Sequence, residues 1–377
     1  MADDDHRTPA THARAPDAGD PGLLRPWGWS DRIAALVDAC DVTGMPARVS
    51  RVTRRRFDVQ AADGPRTIPL AALPSGVDPP VTGDWVLLDV DTDPAILAAV
   101  LPRWSLLART NALGSNEQLL AANVDTVFAV HGLDRPMKVG RLERTLAVGL
   151  DGGANAVVVL TKADSSPAAH TAEVVAEVAE ATRGLPCVVT SSRTGEGLDE
   201  LHQWLRDDRT VVLLGESGAG KSRLVNTLLG EAAQSIGEVR EGDAKGRHTT
   251  TTRDLYPAPG GGVLLDTPGL RSMGLWDVGD GVAQVFDDIE DLVDQCRFAD
   301  CAHATEPGCA VQAAVAAGTI DGERVARWLA YIDELDSAEN QRVERERLGK
   351  GAGKANARAA RAFYANEPGR RQKGRRS

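Results

Sequence analysis

The sequence predicts a multidomain fold: a small OB-like β-barrel, a doubly wound α/β domain built around a phosphate loop, and an α-helical C-terminal domain that carries cysteines. Three observations predict it. Five short β-like runs with Gly, Pro and Asp turns crowd between Ala47 and Thr110. From Asn116 to Val282, apolar strand-like runs alternate with helical segments. Three of the five cysteines fall between positions 296 and 309, a spacing that suits a metal better than disulfides.

Composition sets the outer limits. The chain has 377 residues, 42% hydrophobic and 26% charged, which is enough for two or three domains with a substantial core. No apolar run is long enough to span a bilayer. The start, Met1-Ala2-Asp3-Asp4-Asp5, is acidic and lacks the apolar core of a signal peptide. The expectation is a cytoplasmic protein, and with no coiled-coil seam visible, a monomer.

Residues 1–28 are rich in Asp, Ala, Pro and Gly and are expected to be disordered. Trp29–Cys40 reads as a short amphipathic helix, so residues 1–44 form a tail and a helix. The barrel occupies 45–110, with strands expected at Ala47–Val52, Phe57–Gln60, Thr67–Leu70, Asp84–Val90 and Ala95–Leu101. Its segment Arg51-Val52-Thr53-Arg54-Arg55-Arg56 is either a patch that tracks a phosphate backbone or a solvated hairpin.

The α/β domain spans 111–282. Thr126–Val130, Ala156–Leu160, Cys187–Thr190, Thr210–Leu214 and Gly262–Leu265 read as buried parallel strands. Helices are expected at Lys138–Gly149, Ala168–Arg183, Leu198–Leu205 and Lys221–Leu229. After the fourth strand comes Gly215-Glu216-Ser217-Gly218-Ala219-Gly220-Lys221-Ser222, a G-x-x-x-x-G-K-S phosphate loop continuing into a helix through Arg223. Its glycines let backbone N–H groups converge on phosphates. Lys221 reaches the outer phosphates and Ser222 can ligate Mg²⁺.

Three further motifs follow strands. Asp266-Thr267-Pro268-Gly269 offers Asp266 to Mg²⁺ through water and the Gly269 N–H to a terminal phosphate. A switch segment, Gly246-Arg247-His248-Thr249-Thr250-Thr251-Thr252-Arg253, carries hydroxyls able to complete the Mg²⁺ shell, Thr250 being preferred. Thr161-Lys162-Ala163-Asp164 supplies a carboxylate that can accept two N–H bonds from guanine, a pair that adenine does not offer. Lys162 would stack its stem on the base, and Ser191-Ser192 would contact the base oxygen. The nucleotide is therefore read as GTP. The order is unusual, because Thr161–Asp164 precedes the phosphate loop and Asp266–Gly269 comes last. The domain is a circularly permuted GTPase, which neighbouring chain ends permit.

Cys296-x4-Cys301-x-His303-x5-Cys309 offers three thiolates and an imidazole, a closed tetrahedral set for one structural Zn²⁺, within a helical domain at 283–340. Cys40 and Cys187 are isolated and read as packing residues. The net charge is −11, yet the tail at 341–377 is strongly basic, suiting a polyanion or a solvated terminus equally.

Taken together, the chain resembles the ribosome small-subunit-dependent GTPase A family. The resemblance rests on the permuted order, Ala122-Asn123-Val124-Asp125, Gly246–Thr251, Asp266-Thr267-Pro268-Gly269-Leu270-Arg271 and Glu306-Pro307-Gly308-Cys309-Ala310-Val311. It implies an OB domain, a permuted GTPase domain and a zinc domain acting on the maturing small ribosomal subunit and its rRNA, with GTP and GDP as ligands. The family usually has Asn where this chain has Thr161, which puts guanine selectivity in question.

Hydrolysis of GTP is mainly positioning and charge stabilisation. Leu270 stands where many GTPases place a water-orienting Gln, so His248 becomes the candidate catalytic group beside Lys221. Two other readings are an RNA-binding zinc protein in which GTP only switches shape, and a GTP-driven chaperone not acting on ribosomes.

Overall fold

The computed structural model describes residues 21–73, 78–110, 117–230, 254–266 and 279–337. The expectations placed on residues 1–20, His248, Thr250, Gly269 and the basic tail at 341–377 lie outside them. The chain divides into two compact units, one from residues 1–107 and 119–272, the other from 108–118 and 273–377.

In the first unit, β1 (Met45–Val52), β2 (Arg56–Ala61), β3 (Gly64–Pro69), β4 (Trp85–Asp89) and β5 (Ile96–Val100) are the five expected barrel strands. They pair antiparallel in the order β3-β2-β1-β4-β5. Alternation drives this layer. On β2, Phe57, Val59 and Ala61 face the core, while Arg56 points to solvent. They meet Val49, Ile68, Val86 and Leu97 in one apolar cluster.

A second cluster corrects the expectation for the N-terminus. Residues 21–28 are ordered: Pro21–Trp27 forms a 3-10 helix. Leu24 inserts fully buried beside Ile33, Trp85 and Leu87. Ile33 comes from α1 (Asp31–Asp38), and Trp29 packs edge-on against Trp85 at 5.6 Å. One apolar anchor outweighs a disorder-prone composition.

The α/β sheet runs β10-β9-β8-β11-β13-β12. Its strands are β8 (Thr126–Gly132), β9 (Asn155–Thr161), β10 (Cys187–Val189), β11 (Thr210–Gly215), β12 (Asp254–Pro257) and β13 (Val263–Asp266). All pairs are parallel except β12 with β13. Helices α2 (Val139–Asp151), α3 (Ala168–Thr182), α4 (Leu198–Trp204) and α5 (Lys221–Leu229) cover it. Both faces are covered, which explains why Val211–Leu214 is buried without interruption. All ligand-bearing loops therefore emerge at the carboxyl ends of neighbouring strands.

Strand β12 was not expected. It pairs with β1 at Arg51 and Asp254, where the Arg51 guanidinium grips the Asp254 carboxylate. The barrel strands and the α/β strands thus form one continuous sheet. Arg51 is spent on this join, while Arg54, Arg55 and Arg56 remain exposed. A separate two-stranded sheet, β6 (Leu106–Thr110) with β7 (Glu117–Ala122), was also not foreseen.

Arg48 on β1 is wholly buried. Its guanidinium donates to Thr210 Oγ1 at 2.6 Å on β11 and to the Trp27 carbonyl, and lies over the Trp85 ring. Burial lowers its pKa to about 10, so it stays charged at neutral pH. One cation thereby ties the N-terminal turn, the barrel and the strand that leads to the phosphate loop.

Among the described residues of the second unit are α6 (Gly279–Val285), α7 (Asp287–Val293), α8 (Ala310–Ala316) and α9, a helix over 322–337. Arg324 of α9 binds both Asp288 oxygens at 3.0 and 2.9 Å and the Val285 carbonyl at 2.8 Å. Trp328 donates to Glu290 at 2.9 Å. Among the described residues, no helix is long and apolar enough to cross a membrane.

Candidate nucleotide site and metal centre

The phosphate loop leaves β11 through Gly215 (φ 143°) and turns again at Gly218 (φ 78°) and Gly220 (φ 90°). Side chains are barred at the first of these by space as well as by conformation. A Cβ on Gly215 would lie 2.2 Å from the Val130 carbonyl oxygen of β8. Lys221 opens α5, and its Nζ donates to the carbonyls of Gly215 at 2.5 Å and Glu216 at 2.6 Å. Ser222 and Arg223 are exposed in the first turn of that helix. Asp266 ends β13, next to β11 in the sheet, so Ser222 and Asp266 emerge from adjacent elements at the same sheet end.

Thr161 ends β9 and is nearly fully buried. Its hydroxyl lies 3.2 Å from the His131 carbonyl and 2.5 Å from the Ala219 carbonyl. The residue at the head of the base-reading segment is therefore bonded directly to the phosphate loop. Lys162 follows in the left-handed region (φ 64°). Its Nζ donates to the Gly218 carbonyl at 2.6 Å and to Asp134 at 2.7 Å. Ala163 donates its N–H to the Thr190 carbonyl at 3.2 Å, which sets β9's loop beside Ser191 and Ser192.

Asp164 is oriented by two neighbours. Ser191 Oγ donates to one carboxylate oxygen at 2.5 Å, and Arg193 Nε lies 2.7 Å from the other. The Ser191 bond, with help from Ser165 and Arg193, holds the carboxyl below the usual range. It therefore stays ionised at neutral pH.

Cys296, Cys301, His303 and Cys309 converge in the second unit, with their ligand atoms all within 4.8 Å of one another. Cys296 Sγ is 3.5 Å from His303 Nδ1 and 3.9 Å from Cys309 Sγ, and Cys309 Sγ is 3.6 Å from His303 Nδ1. His303 takes a left-handed backbone (φ 56°). Gln312 holds the His303 carbonyl at 2.6 Å, and the imidazole packs on Trp328 at 5.3 Å. The Glu306 carboxylate accepts the N–H groups of Ala302, Ala304 and Thr305, which shapes the loop between the ligands. Such a cluster can hold a metal ion.

Comparison with known proteins decides the family. The sequence model described as RsgA GTPase matches residues 100–276. A relative from Streptomyces coelicolor, named small ribosomal subunit biogenesis GTPase RsgA, is 44% identical over 85% of this chain and 87% of its own length. The chain belongs to the RsgA GTPase family. A relative of the same name from Xanthomonas euvesicatoria is 42% identical, covering 92% of this chain and 96% of its own. The crystal structure of YjeQ from Thermotoga maritima is similar, with a TM-score of 0.57 and 25% identity, covering 77% of this chain and 98% of that one. YloQ, described as a circularly permuted GTPase, shares the fold at a TM-score of 0.57 over 78% of this chain and 96% of its own. The chain is thus a GTP hydrolase of circularly permuted fold.

Within this RsgA GTPase site, the structure brings together Gly215–Ser222, Thr161–Asp164 and Ser191. His248, Thr250 and Gly269 lie outside the described residues. Three residues that the sequence did not single out contact these candidate residues. Arg193 faces Asp164. Asp134 and Arg135, on the loop after β8, contact Lys162 and the phosphate loop. Arg193 could have been found from its place two residues after Ser191. Asp134 and Arg135 carry no local signal, because their relevance depends on β8 lying beside β11.

Proposed function

We propose that the chain is a cytoplasmic GTPase that docks on the small ribosomal subunit and hydrolyses GTP as that subunit matures. One observation carries this reading. The phosphate loop and the guanine-reading segment are joined through Thr161 at one end of the sheet, in a chain 44% identical to a relative named for small-subunit biogenesis.

The residues have distinct tasks in this reading. Backbone N–H groups of Gly218–Ser222 cradle the phosphates, and Lys221 turns from its loop carbonyls to the outer ones. Asp164 accepts two guanine N–H groups, while Lys162 lies along the base. Ser222, Asp266 and Thr250 would hold Mg²⁺, which when bound neutralises charge building on the phosphates. His248 orients the attacking water, since Leu270 has no polar group to do so. Docking on the subunit brings His248 into place in this reading, so unstimulated turnover is slow. The exposed Arg54, Arg55 and Arg56 and the basic tail at 341–377 supply cations for rRNA phosphates.

Zinc is the metal that best fits Cys296, Cys301, His303 and Cys309. A tetrahedron with Zn–S of about 2.3 Å and Zn–N of about 2.0 Å has S···S edges of about 3.8 Å and S···N edges of about 3.5 Å. The separations of 3.9, 3.5 and 3.6 Å among Cys296, His303 and Cys309 lie close to those edges, and Cys301 brings the set of four within 4.8 Å. With four protein ligands no position is open, so the role is structural.

Co-sedimentation with purified small subunits tests the partner. Binding is expected to be strong with a non-hydrolysable GTP analogue and weak with GDP. Equal binding in both states, or equal binding to large subunits, contradicts the reading.

A further inference from the structure

The phosphate loop makes a bond that no phosphate-loop motif calls for. Arg135, four residues beyond the buried His131 of β8, lays its guanidinium against the loop. Nη1 donates to the Ser217 carbonyl at 3.0 Å and Nη2 to the Gly218 carbonyl at 2.9 Å. Two parallel bonds of this kind need a planar fork, which Arg has and Lys lacks. Gly218 sits at φ 78°, which favours glycine, and a Cβ there would lie 3.0 Å from Arg135 Nη2.

The effect on the loop follows from peptide geometry. A trans peptide is planar, with its C=O and N–H pointing in opposite directions. Holding the Ser217 carbonyl toward Arg135 turns the Gly218 N–H to the opposite side. The next N–H, of Ala219, is donated to the Glu216 carbonyl at 3.3 Å. The Gly218 N–H belongs to the stretch that faces the phosphates in a G-x-x-x-x-G-K-S loop. The neighbouring carbonyls are held as well, Ala219 by Thr161 and Gly215 and Glu216 by Lys221. When Lys221 swings to a phosphate its two bonds are given up, whereas those of Arg135 remain.

Charge balance allows the arrangement. Lys162 Nζ also donates to the Gly218 carbonyl, so two cations converge on one oxygen. Asp134 lies between them, 2.7 Å from Lys162 Nζ and 3.2 Å from Arg135 Nε. Arg141, from α2 on the same connection, pairs with Glu216, which keeps that carboxylate from opposing the phosphates unscreened. The whole β8–α2 connection therefore braces the loop.

We propose that Arg135 is a positioning residue of the nucleotide site: with Asp134 as its counter-ion, it pre-orients the Gly218 N–H toward the β-phosphate. This rests on the reading of the site as a GTP site. The role belongs to binding of the diphosphate, shared by GTP and GDP, and not to the γ-phosphate transfer step.

The test uses the full chain with Arg135→Ala and Arg135→Lys, measuring Kd for GDP, KM for GTP and kcat. Arg135→Ala is expected to raise Kd for GDP and KM for GTP together, each by about tenfold, with kcat shifting much less. Arg135→Lys should recover part of that loss, since one ammonium can hold only one carbonyl at a time. The side chain is about one-third exposed, so both variants should fold, and nucleotide-free melting temperatures check this. A kcat that collapses while GDP affinity is kept would make Arg135 a transition-state group and overturn the proposal. Unchanged GDP and GTP constants would overturn it too. If the unaltered chain fails to bind GDP at all, the nucleotide reading itself fails, which is a separate and recognisable result.

Discussion

Replacing Thr161 with Val tests how the base-reading segment and the phosphate loop communicate. The two side chains have nearly the same shape, so no cavity opens and the change removes only the hydroxyl. That hydroxyl is buried and serves the Ala219 carbonyl at 2.5 Å and the His131 carbonyl at 3.2 Å. A typical buried hydrogen bond contributes about 1 kcal/mol net, and a buried acceptor left alone costs somewhat more. The hydroxyl has one proton to give, and the nearer Ala219 carbonyl takes it, so one bond sets the loss at about 1 kcal/mol. For a unit of some 250 residues that corresponds to a fall in melting temperature of about 2–4 °C. The released Ala219 carbonyl also frees the Gly220 N–H in the same peptide, so GDP affinity should weaken, by about tenfold. Thermal scans with and without GDP, together with a fluorescent-GDP titration, measure both effects. A variant with unchanged melting temperature and unchanged GDP affinity would refute the claim that this hydroxyl ties the two segments.

Other consequences follow from the same geometry. Asp164→Asn exchanges an acceptor for a donor, so GTP affinity should fall by about 100-fold while xanthosine triphosphate gains; competition binding with both nucleotides checks it. Cys301→Ser, or chelation, should remove the metal and loosen the 296–309 loop, read by metal content and by the fluorescence of Trp328, whose ring packs on His303. Arg48→Met should destabilise the first unit by about 3 kcal/mol, since it strips the cation from half-buried Asp125 and breaks the buried tie to Thr210; urea unfolding measures it. Asp134 is held down to about 2, first by the bond from Lys162 and then by Arg135. Because its folded pKa lies below its ordinary value of 3.8, its contribution to stability is complete above that value and lost as the pH falls towards 2. A carboxyl NMR titration of Asp134 with a midpoint near 4 would contradict this.

What the sequence disclosed depended on how local each signal was. Val211–Leu214 and Ala156–Leu160 read as buried strands because strands covered on both faces need unbroken apolar runs. The phosphate loop, Thr161–Asp164 and the Cys–His set were legible because each packs its chemistry into a few consecutive or closely spaced positions. Strand β12 was hidden, since Asp254-Leu255-Tyr256-Pro257 has a buried charge at one end and a proline at the other. Its place is fixed by Arg51, some two hundred positions away. Leu24 was masked by the Pro, Gly and Asp around it, and only the pocket beside Trp85 shows why it is ordered. Arg135 and Arg48 share a common reason for being missed. Each acts on β11 or on the loop that leaves it, across a strand pairing that no local pattern records.

The most direct measurement of the central claim is the rate of GTP and ATP hydrolysis by the full chain, alone and with purified small or large ribosomal subunits. Slow GTP turnover is expected, raised strongly by small subunits and not by large ones, with ATP left nearly untouched. GTP turnover indifferent to small subunits would contradict the assignment of the partner, and equal use of ATP would show that Thr161 and Asp164 do not select guanine.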